Sequence, residues 1–377
     1  MPMTAFPVFF RALCLLVVGS TVLLSIGCTE PGATPASSES SGDAASQPDV
    51  PSPSGSATFQ IQSVTLDARR EPAPSLLPAI RALGTTHVTL IPFAYQRRPD
   101  DPEVHLRPNP RWYSESEDGI RTLAATADSL DMDVILKPHV WVGGYDVEGQ
   151  TRGEIGFDTA QDWAQWEASY RRFILYYANL AAAIDADVLV VGTELHRAAE
   201  SREAFWRALI AEVREVYAGD LTYAANWYAE YEAVPFWDAL DYVGVQAYFP
   251  LSDANNPPVD SLRQGWHEHR AALRQMHRET GRPILFTELG YRSIDYAAKA
   301  PWRWPQRNER HAPPDTLLQA RCYTAFFQTF ADAEWFSGAI LWKWHPMPES
   351  RRPVSFTPQH KPAETVIRRW FGGADAS

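Results

Sequence analysis

The sequence predicts a single α/β domain folded as a (β/α)8 TIM barrel. From residue 59 onward, short apolar runs alternate with helical periodicities, which is the pattern of βα units built around a parallel sheet. Eight such runs fall between residues 59 and 371, matching the strand number and the size of a (β/α)8 barrel. A doubly wound sheet is the competing α/β architecture, but no Gly-rich turn follows the first strand.

The predicted strands are short, β-branched runs, and the segments between them are amphipathic and long enough for helices. Strands are predicted at residues 59–66, 87–92, 133–137, 188–193, 221–225, 242–246, 284–287 and 338–342. Helices are predicted at residues 74–83, 120–129, 160–183, 203–217, 265–280 and 317–333. The sequence shows no internal repeat and no second domain, so we assign residues 58–372 to one barrel domain.

The composition indicates a large folded core and argues against nucleic acid as a partner. Hydrophobic residues make up 45% and charged residues 21% of the 377 positions, as in globular domains. The net charge is −12, whereas phosphate binding requires basic patches. Aromatic residues reach 12% and include 14 Trp, an excess that serves either a packed core or stacking against sugar rings.

Residues 1–27 have the features of a secretory signal peptide. Arg11 precedes an apolar run that is too short and too one-sided for a stable membrane span. Leu24-Ser-Ile-Gly27 then leads into Cys28, a pattern that resembles a bacterial lipobox, although Ser25 stands where Leu is usual. We expect Cys28 to be lipidated, the alternative being ordinary cleavage that leaves it unmodified. The protein would then be exported and lipid-anchored at the cell envelope, in the periplasm or on the cell surface.

Residues 28–57 are rich in Ser, Pro, Ala and Gly, which predicts a flexible tether between the anchor and the domain. Of the three cysteines, Cys14 lies in the signal peptide and Cys28 is the expected lipid site. Cys322 is therefore alone in the domain, so no disulfide framework is expected despite export. Its helical context predicts a small core residue. We expect a monomer that contacts the membrane through its lipid anchor only.

Two of the predicted strands end in a glutamate. The apolar run 188–191 leads to Glu194, and the apolar run 284–286 leads to Glu288, each within the tripeptide Thr-Glu-Leu. Runs of this kind are typical of strands buried on both faces, and a charged residue directly after one indicates a site. In a barrel, the carboxyl ends of all strands meet at one mouth, where active sites lie. The sequence therefore predicts an enzyme with a pair of carboxylates.

The other strand ends are polar, charged or aromatic as well, which predicts a Trp-lined cleft suited to a polysaccharide. The expected substrate contacts are Lys137, His139, Trp141, Thr193, His196, Asn226, Trp227, Tyr291 and Trp342. Trp342 and Trp344 lie two positions apart at the end of one strand, and either could belong to the core instead. His139 and His196 match no compact metal motif. We interpret both as donors to sugar hydroxyls and expect neither a metal nor a cofactor.

These residues resemble a known family. Glutamates that end strands four and seven of a barrel are typical of the large retaining clan of glycoside hydrolases, clan A. Within that clan, three segments resemble family 113, whose members include β-1,4-mannanases: Leu136-Lys-Pro-His139, Gly192-Thr-Glu-Leu195 and Thr287-Glu-Leu-Gly-Tyr291. The resemblance covers roughly residues 59–371 and implies that Glu194 is the acid/base and Glu288 the nucleophile. Most clan families have Asn where this chain has Thr193, which makes Asn226 a candidate contact to the sugar 2-hydroxyl.

The implied chemistry is a double displacement. A retaining enzyme needs two carboxyl groups about 5–5.5 Å apart, so that one attacks the anomeric carbon while the other protonates the leaving oxygen. We expect Tyr248 to donate a hydrogen bond to Glu288, orienting it and keeping it charged. The favoured substrate is a β-1,4-linked mannan or manno-oligosaccharide. The alternatives are another β-linked glycan, or a catalytically silent barrel that binds carbohydrate at the cell surface.

Overall fold

The computed structural model describes residues 59–106, 110, 112–143, 151–303, 313–346 and 354–373. The predicted signal peptide (residues 1–27), the predicted tether (residues 28–57) and the expected lipid site Cys28 lie outside the described residues. Across the described ranges, no helix combines the length and the apolar character needed to cross a membrane.

The described residues form ten strands and nine α-helices. The strands are β1 (Ile61–Leu66), β2 (His87–Leu90), β3 (Phe93–Gln96), β4 (Asp133–Leu136), β5 (His139–Val142), β6 (Val188–Thr193), β7 (Asp220–Asn226), β8 (Tyr242–Gln246), β9 (Ile284–Leu289) and β10 (Phe336–Trp344). The helices are α1 (Leu76–Arg81), α2 (Glu117–Asp128), α3 (Ala160–Ala183), α4 (His196–Ser201), α5 (Glu203–Val216), α6 (Glu230–Ala233), α7 (Val259–Thr280), α8 (Thr316–Phe330) and α9 (Pro362–Phe371).

Eight of the strands close into a parallel barrel, which confirms the predicted fold class. Its order is β1-β2-β4-β6-β7-β8-β9-β10, with β10 paired to β1. All eight predicted strands are present, and the bounds of two of them, β6 and β8, agree with the prediction. Glu194 therefore follows the fourth barrel strand, and Glu288 lies on the seventh, β9.

Two apolar layers hold the barrel together. Inside it, side chains from seven of the strands form a closed cluster that includes Ile135, Val190, Leu285 and Ile340. Outside it, the helices pack on the strands through a larger cluster that contains most of the buried aromatic rings. Cys322 is buried in that outer layer, on α8, as predicted. The barrel is thus a packed core, and its polar groups are left for the mouth.

The helix termini follow from local chemistry. The side chains of Ser116, Thr159 and Asp315 each accept a backbone N–H in the first turn of α2, α3 and α8, which satisfies a donor that the helix cannot. At the other end, α7 stops at Gly281 and α9 at Gly372, both with φ near 70°. Glycine adopts this left-handed conformation without steric cost, so each helix ends there.

A small parallel sheet, β3 with β5, was not predicted. It continues β2 and β4 beyond the barrel, after the breaks that Pro92 and Pro138 introduce because proline lacks an N–H for the ladder. The His139 amide nevertheless donates to the Pro92 carbonyl at 2.8 Å, so pairing resumes at once. This sheet raises one wall above the barrel mouth and carries His139 and Trp141.

Candidate active site

A cavity of about 810 Å³ opens at the carboxyl ends of the barrel strands. Both glutamates, Glu194 and Glu288, line it. The other lining residues are Phe93, His139, Trp141, Thr151, Arg152, Gly153, Glu154, His196, Asn226, Trp227, Tyr228, Glu230, Gln246, Tyr248, Trp302, Trp342 and Phe356. The paired carboxylates predicted from the strand ends are therefore brought into one aromatic-rich cleft.

Glu288 is held by its side chain. It lies near the end of β9, where the register with β8 shifts beside Gln246, and such bulges redirect side chains near active sites. The Lys137 ammonium donates to Glu288 Oε1 at 2.6 Å, and the Tyr248 hydroxyl donates to Oε2 at 2.7 Å. Each carboxylate oxygen thus has its own donor, which fixes the plane of the group.

Lys137 lies fully buried beneath the cavity. Its ammonium donates to Gln246 Oε1 at 2.6 Å and to the Thr287 carbonyl at 3.0 Å, in addition to Glu288. Burial lowers the pKa of Lys137, and the carboxylate of Glu288 opposes that shift. Three acceptors match the three donors of an ammonium group, so the geometry fits the charged lysine.

Tyr248 is the second donor to Glu288, in the hydrogen bond expected from the sequence. Burial, followed by the charge of Glu288, raises the pKa of Tyr248 well above its usual value. The phenol therefore keeps its proton across the working pH range. It remains a donor to the carboxylate, which favours the ionised form of its partner.

Glu194 is held by its backbone. It follows β6 with φ of 51°, a left-handed conformation that is uncommon for residues other than glycine, asparagine and aspartate. The register between β6 and β7 shifts just before it, and its amide donates to the Ala224 carbonyl at 2.9 Å. Its side chain is 18% exposed, and one carboxylate oxygen lies 3.1 Å from Arg152 Nε.

His139 is a neutral hydrogen-bond donor in this site. Burial, helped by the charges of Lys137 and Arg152, holds the pKa of His139 well below its usual value. Arg152 Nη1 lies 3.1 Å from His139 Nδ1, and an arginine can only donate, so we assign the proton to Nε2. Within the described ranges, this buried Nε2 has no protein partner, which leaves it available to a substrate hydroxyl.

Aromatic side chains form both walls of the cavity. Trp141 is 48% exposed on β5, and Trp302 is 45% exposed in the segment after β9. The Trp302 ring lies 5.0 Å from that of Trp227 at an interplanar angle of 32°. Trp342 also lines the cavity, whereas Trp344 is buried. Exposed indole faces of this kind suit the apolar faces of sugar rings.

Six of the nine expected substrate contacts line the cavity: His139, Trp141, His196, Asn226, Trp227 and Trp342. The other three do not, and the expectation is corrected for them. Lys137 lies beneath the floor against Glu288, and Thr193 is buried at the end of β6. Tyr291 turns back into the core, where its ring meets Tyr323 edge to face at 5.4 Å.

Several cavity residues were not predicted from the sequence. Arg152 comes from a 3-10 turn, Arg152–Glu154, in the segment after β5, and Trp302 comes from the segment after β9. Glu230 begins the short helix α6. No periodic pattern marks these positions. Gln246, by contrast, ends a predicted strand, so its position alone was a usable signal. The described residues contain no cluster of three or more His, Cys, Asp or Glu side chains able to hold a metal.

The barrel, the two glutamates at its mouth and the aromatic walls define a glycoside hydrolase of the (β/α)8 type. The family model of glycoside hydrolase family 113 matches residues 57–371, and the chain belongs to that family. None of the curated protein sequences is significantly similar to the chain.

Solved structures of family 113 β-mannanases are similar to the chain over almost their whole length. One, a β-1,4-mannanase complex, is 26% identical, with a TM-score of 0.69 and coverage of 84% of this chain and 99% of that one. AaManA from Alicyclobacillus acidocaldarius, solved with ManMIm, is 28% identical, with a TM-score of 0.69 and coverage of 83% and 97%. A third, another β-1,4-mannanase, is 27% identical, with a TM-score of 0.67 and coverage of 84% and 100%.

Proposed function

We propose that the protein is a retaining β-1,4-mannanase that cleaves mannan or manno-oligosaccharides, with Glu288 as nucleophile and Glu194 as acid/base. The observation that carries this proposal is the unequal support of the two glutamates in one cavity. Glu288 receives an ammonium and a phenol, which stabilise a fixed carboxylate. Glu194 is partly exposed, as a group must be that exchanges protons with a leaving oxygen and with water.

The reaction would follow two displacements. In the first, a Glu288 oxygen forms a bond to the anomeric carbon as the glycosidic bond breaks, and Glu194 gives its proton to the departing oxygen. In the second, Glu194 takes a proton from water, whose oxygen displaces Glu288 from the anomeric carbon. Lys137 and Tyr248 hold Glu288 in place throughout. The neutral His139, whose Nε2 has no protein partner among the described residues, would bind a sugar hydroxyl.

The choice of mannan is supported by the similar solved structures of family 113, which are β-mannanases. Thr193 departs from the Asn that most of the clan has before the acid/base, and it is buried away from the cavity. Asn226 does line the cavity and is our candidate for the sugar 2-hydroxyl contact. Hydrolysis of another β-linked glycan by the same residues is the alternative substrate assignment.

The test is a substrate panel with the domain from residue 57 onward. We expect reducing sugar from mannan and manno-oligosaccharides and little from glucan or xylan. Glu288→Ala should abolish turnover, and azide should restore it with an inverted glycosyl azide as product. Glu194→Ala should spare the first step for substrates with good leaving groups. Glu215→Ala, an exposed glutamate on α5, is the matched control. Full activity of either cavity variant on polymer would refute the assignment.

We also propose that the protein is an exported, monomeric lipoprotein anchored through Cys28. The support is the order of features in the sequence: an apolar signal, a lipobox-like Leu24-Ser-Ile-Gly27 and a tether before the domain. Metabolic labelling with a radioactive fatty acid would test it. Incorporation that disappears in Cys28→Ser supports lipidation, and equal labelling of both chains refutes it.

A further inference from the structure

One tyrosine contacts the chain on both sides of Glu194. The ring of Tyr223, on β7, packs against Gly192, where an added Cβ would lie 2.6 Å from a ring carbon. The hydroxyl of the same residue accepts the backbone N–H of Leu195 at 2.7 Å. Tyr223 is completely buried, and its ring packs edge to face against Trp206 at 5.4 Å. Tyr223 therefore contacts the segment from 192 to 195 on its buried side and does not touch the Glu194 carboxylate.

These contacts flank Glu194, the residue with the strained backbone conformation. Glu194 has φ of 51°, a left-handed conformation that is strained for a glutamate and persists only where its surroundings hold it. The Leu195 amide is the next polar group along the chain, and it is buried. Loss of its acceptor would leave an unsatisfied donor beside a strained residue, so the Tyr223 hydroxyl bears on the direction in which Glu194 points.

A third carboxylate fixes the Tyr223 hydroxyl. The phenol donates to Glu230 Oε1 at 2.5 Å, which directs the phenol's own proton away from Leu195 and leaves an oxygen lone pair for the amide. Glu230 Oε2 accepts the Asn226 N–H at 2.7 Å. Glu230 is buried, and it follows Ala229, another residue other than glycine with a positive φ, of 59°. The mechanism proposed above does not use this carboxylate.

We propose that Tyr223 and Glu230 are positioning residues for the acid/base. Glu230 orients the Tyr223 hydroxyl, and that hydroxyl holds the Leu195 amide and, with it, the left-handed backbone of Glu194. The inference rests on the proposed function, because it assigns Glu194 the transfer of protons. It predicts that substitution of either residue slows the reaction more for a substrate whose leaving group needs a proton from Glu194.

The surroundings of Glu230 agree with a carboxylate built into the site. Burial raises the pKa of Glu230 to about 7, against its hydrogen bonds from Tyr223 and Asn226; the charge of Glu194 raises it further and that of Arg152 lowers it. Burial also raises the pKa of Tyr223 well above its usual range, so the phenol keeps the proton that it donates. Helix α6 packs against α4, β7 and β8. The titratable or polar side chains that these elements bring to the same cavity are His196, Asn226 and Gln246.

The test compares two substrates that differ in their need for an acid. A manno-oligosaccharide requires protonation of its leaving oxygen, whereas 2,4-dinitrophenyl β-mannoside does not, and kcat/KM for the second reports the first displacement alone. Tyr223→Phe should lower kcat/KM about 10-fold on the oligosaccharide and less than about 3-fold on the aryl glycoside. Glu230→Gln should show a smaller loss of the same kind, because an amide oxygen still accepts one of the two bonds.

Tyr170→Phe is the matched control. Tyr170 is also completely shielded on an α-helix packed on β6, and its hydroxyl donates to the Val191 carbonyl at 2.9 Å, next to the segment that Tyr223 grips. Removing this hydroxyl should leave the ratio of the two rates unchanged. Equal losses on both substrates in Tyr223→Phe would mean a structural role only and would overturn the proposal.

A second measurement decides the matter without any turnover. With 15N-leucine labelling, the Leu195 amide should exchange with solvent about 10-fold faster in Tyr223→Phe and faster in Glu230→Gln, but not in Tyr170→Phe. An unchanged exchange rate of the Leu195 amide in both Tyr223→Phe and Glu230→Gln would overturn the positioning role. If the wild-type enzyme cleaves a different β-linked glycan, the matching oligosaccharide and aryl glycoside replace the mannosides. A wild-type enzyme that cleaves none counts against the proposed function, while the exchange result still decides the positioning role.

Discussion

The two glutamates of the cleft are supported in opposite ways. Glu288 lies within a strand and is 5% exposed, and both of its carboxylate oxygens accept a hydrogen bond from a buried donor. Glu194 lies just past a strand, in a left-handed conformation, and the buried contacts that surround it are made to backbone atoms. Its carboxylate faces the cavity beside Arg152.

This difference matches the demands on the two roles that we propose, nucleophile for Glu288 and acid/base for Glu194. A nucleophile must stay ionised and aimed at one carbon, and direct charge-assisted hydrogen bonds achieve both. An acid/base must give up and regain a proton in each cycle, and a pair of buried side-chain donors would oppose its protonated state. Glu194 has one charged side-chain neighbour, Arg152, whose Nε lies 3.1 Å from its carboxylate, and the rest of its support comes from backbone contacts. Support through the backbone fixes where the acid/base lies without fixing whether it carries a proton.

The largest effect is expected when Glu288, the proposed nucleophile, loses the ammonium of Lys137. Lys137→Met removes the ammonium that donates to Glu288 and leaves a buried carboxylate with one donor. We expect kcat/KM to fall about 10³-fold, and equally for oligosaccharide and aryl glycoside, because both first displacements need the nucleophile. The free energy of unfolding should also fall by about 3–5 kcal/mol. Lys343→Met, which removes a different partly buried lysine that pairs with Asp67, should lose stability without this loss of rate.

The second prediction concerns how the free energy of unfolding depends on pH through Glu230, the carboxylate that we propose orients Tyr223. The pKa of Glu230 is raised to about 7 in the folded protein, from 4.5 for an ordinary glutamate. The folded state therefore binds this proton more tightly than the unfolded state does. The resulting contribution to the free energy of unfolding, about 3 kcal/mol, is complete below pH 4.5 and is lost as pH rises through 7. Urea unfolding at pH 4.5 and pH 8 should show that extra loss in the wild-type enzyme and not in Glu230→Gln. Parallel changes in the two proteins would contradict it.

Removal of the neutral donor to the nucleophile should cost less. Tyr248→Phe deletes a 2.7 Å hydrogen bond to a carboxylate, worth about 1.5–3 kcal/mol, so kcat/KM should fall about 10- to 100-fold on both classes of substrate. Tyr291→Phe is the control within the described structure: its buried hydroxyl has no hydrogen-bond partner, and the ring belongs to the core. A loss in Tyr291→Phe equal to that in Tyr248→Phe would contradict the placement of both residues.

The smallest effect is an absence of titration beside the acid/base. Because the pKa of His139 is held well below 6.5, its imidazole should stay neutral as pH falls from 8 to 5.5. In 15N-histidine spectra, the His139 signals should keep the shifts of the Nε2-protonated form over this range. The same residue in urea-unfolded protein should titrate near 6.5. A folded-state transition near that pH would mean that the ring is not buried near Arg152 and Lys137 as described.

The barrel was predictable because a strand buried on both faces leaves an apolar run. The bounds were less so: β9 runs to Leu289 and β10 to Trp344, since backbone pairing continues through polar residues that hydrophobicity does not mark. Helix α9 was not predicted, although Pro362 in its first turn and Gly372 after its end are boundary signals. Its apolar face packs on α8, where Trp370 stacks on Phe327 at 5.4 Å.

Within the site, the topology alone brings Glu194, Tyr248 and Glu288 together, because barrel strands share one mouth. What lies one layer deeper was not predictable in the same way. Lys137 is next to a strand end like the others, yet it points under the floor, since three acceptors there satisfy an ammonium. Arg152 and Glu230 lie on helical turns of three and four residues, which are too short to leave a periodic pattern in the sequence.

The position of Trp141 and Trp302 has a practical consequence for redesign. Both indoles are about half exposed, on segments outside the barrel, while Lys137 and Tyr223, which help to aim Glu288 and Glu194, are completely buried. Recognition of the sugar chain and alignment of the reacting groups thus occupy separate layers of the molecule. A library of variants at Trp141 and Trp302 would therefore explore new glycans while the catalytic residues stay unchanged. A single methyl group added at Gly192, by contrast, would lie 2.6 Å from a ring carbon of Tyr223 and would disturb every variant in the library.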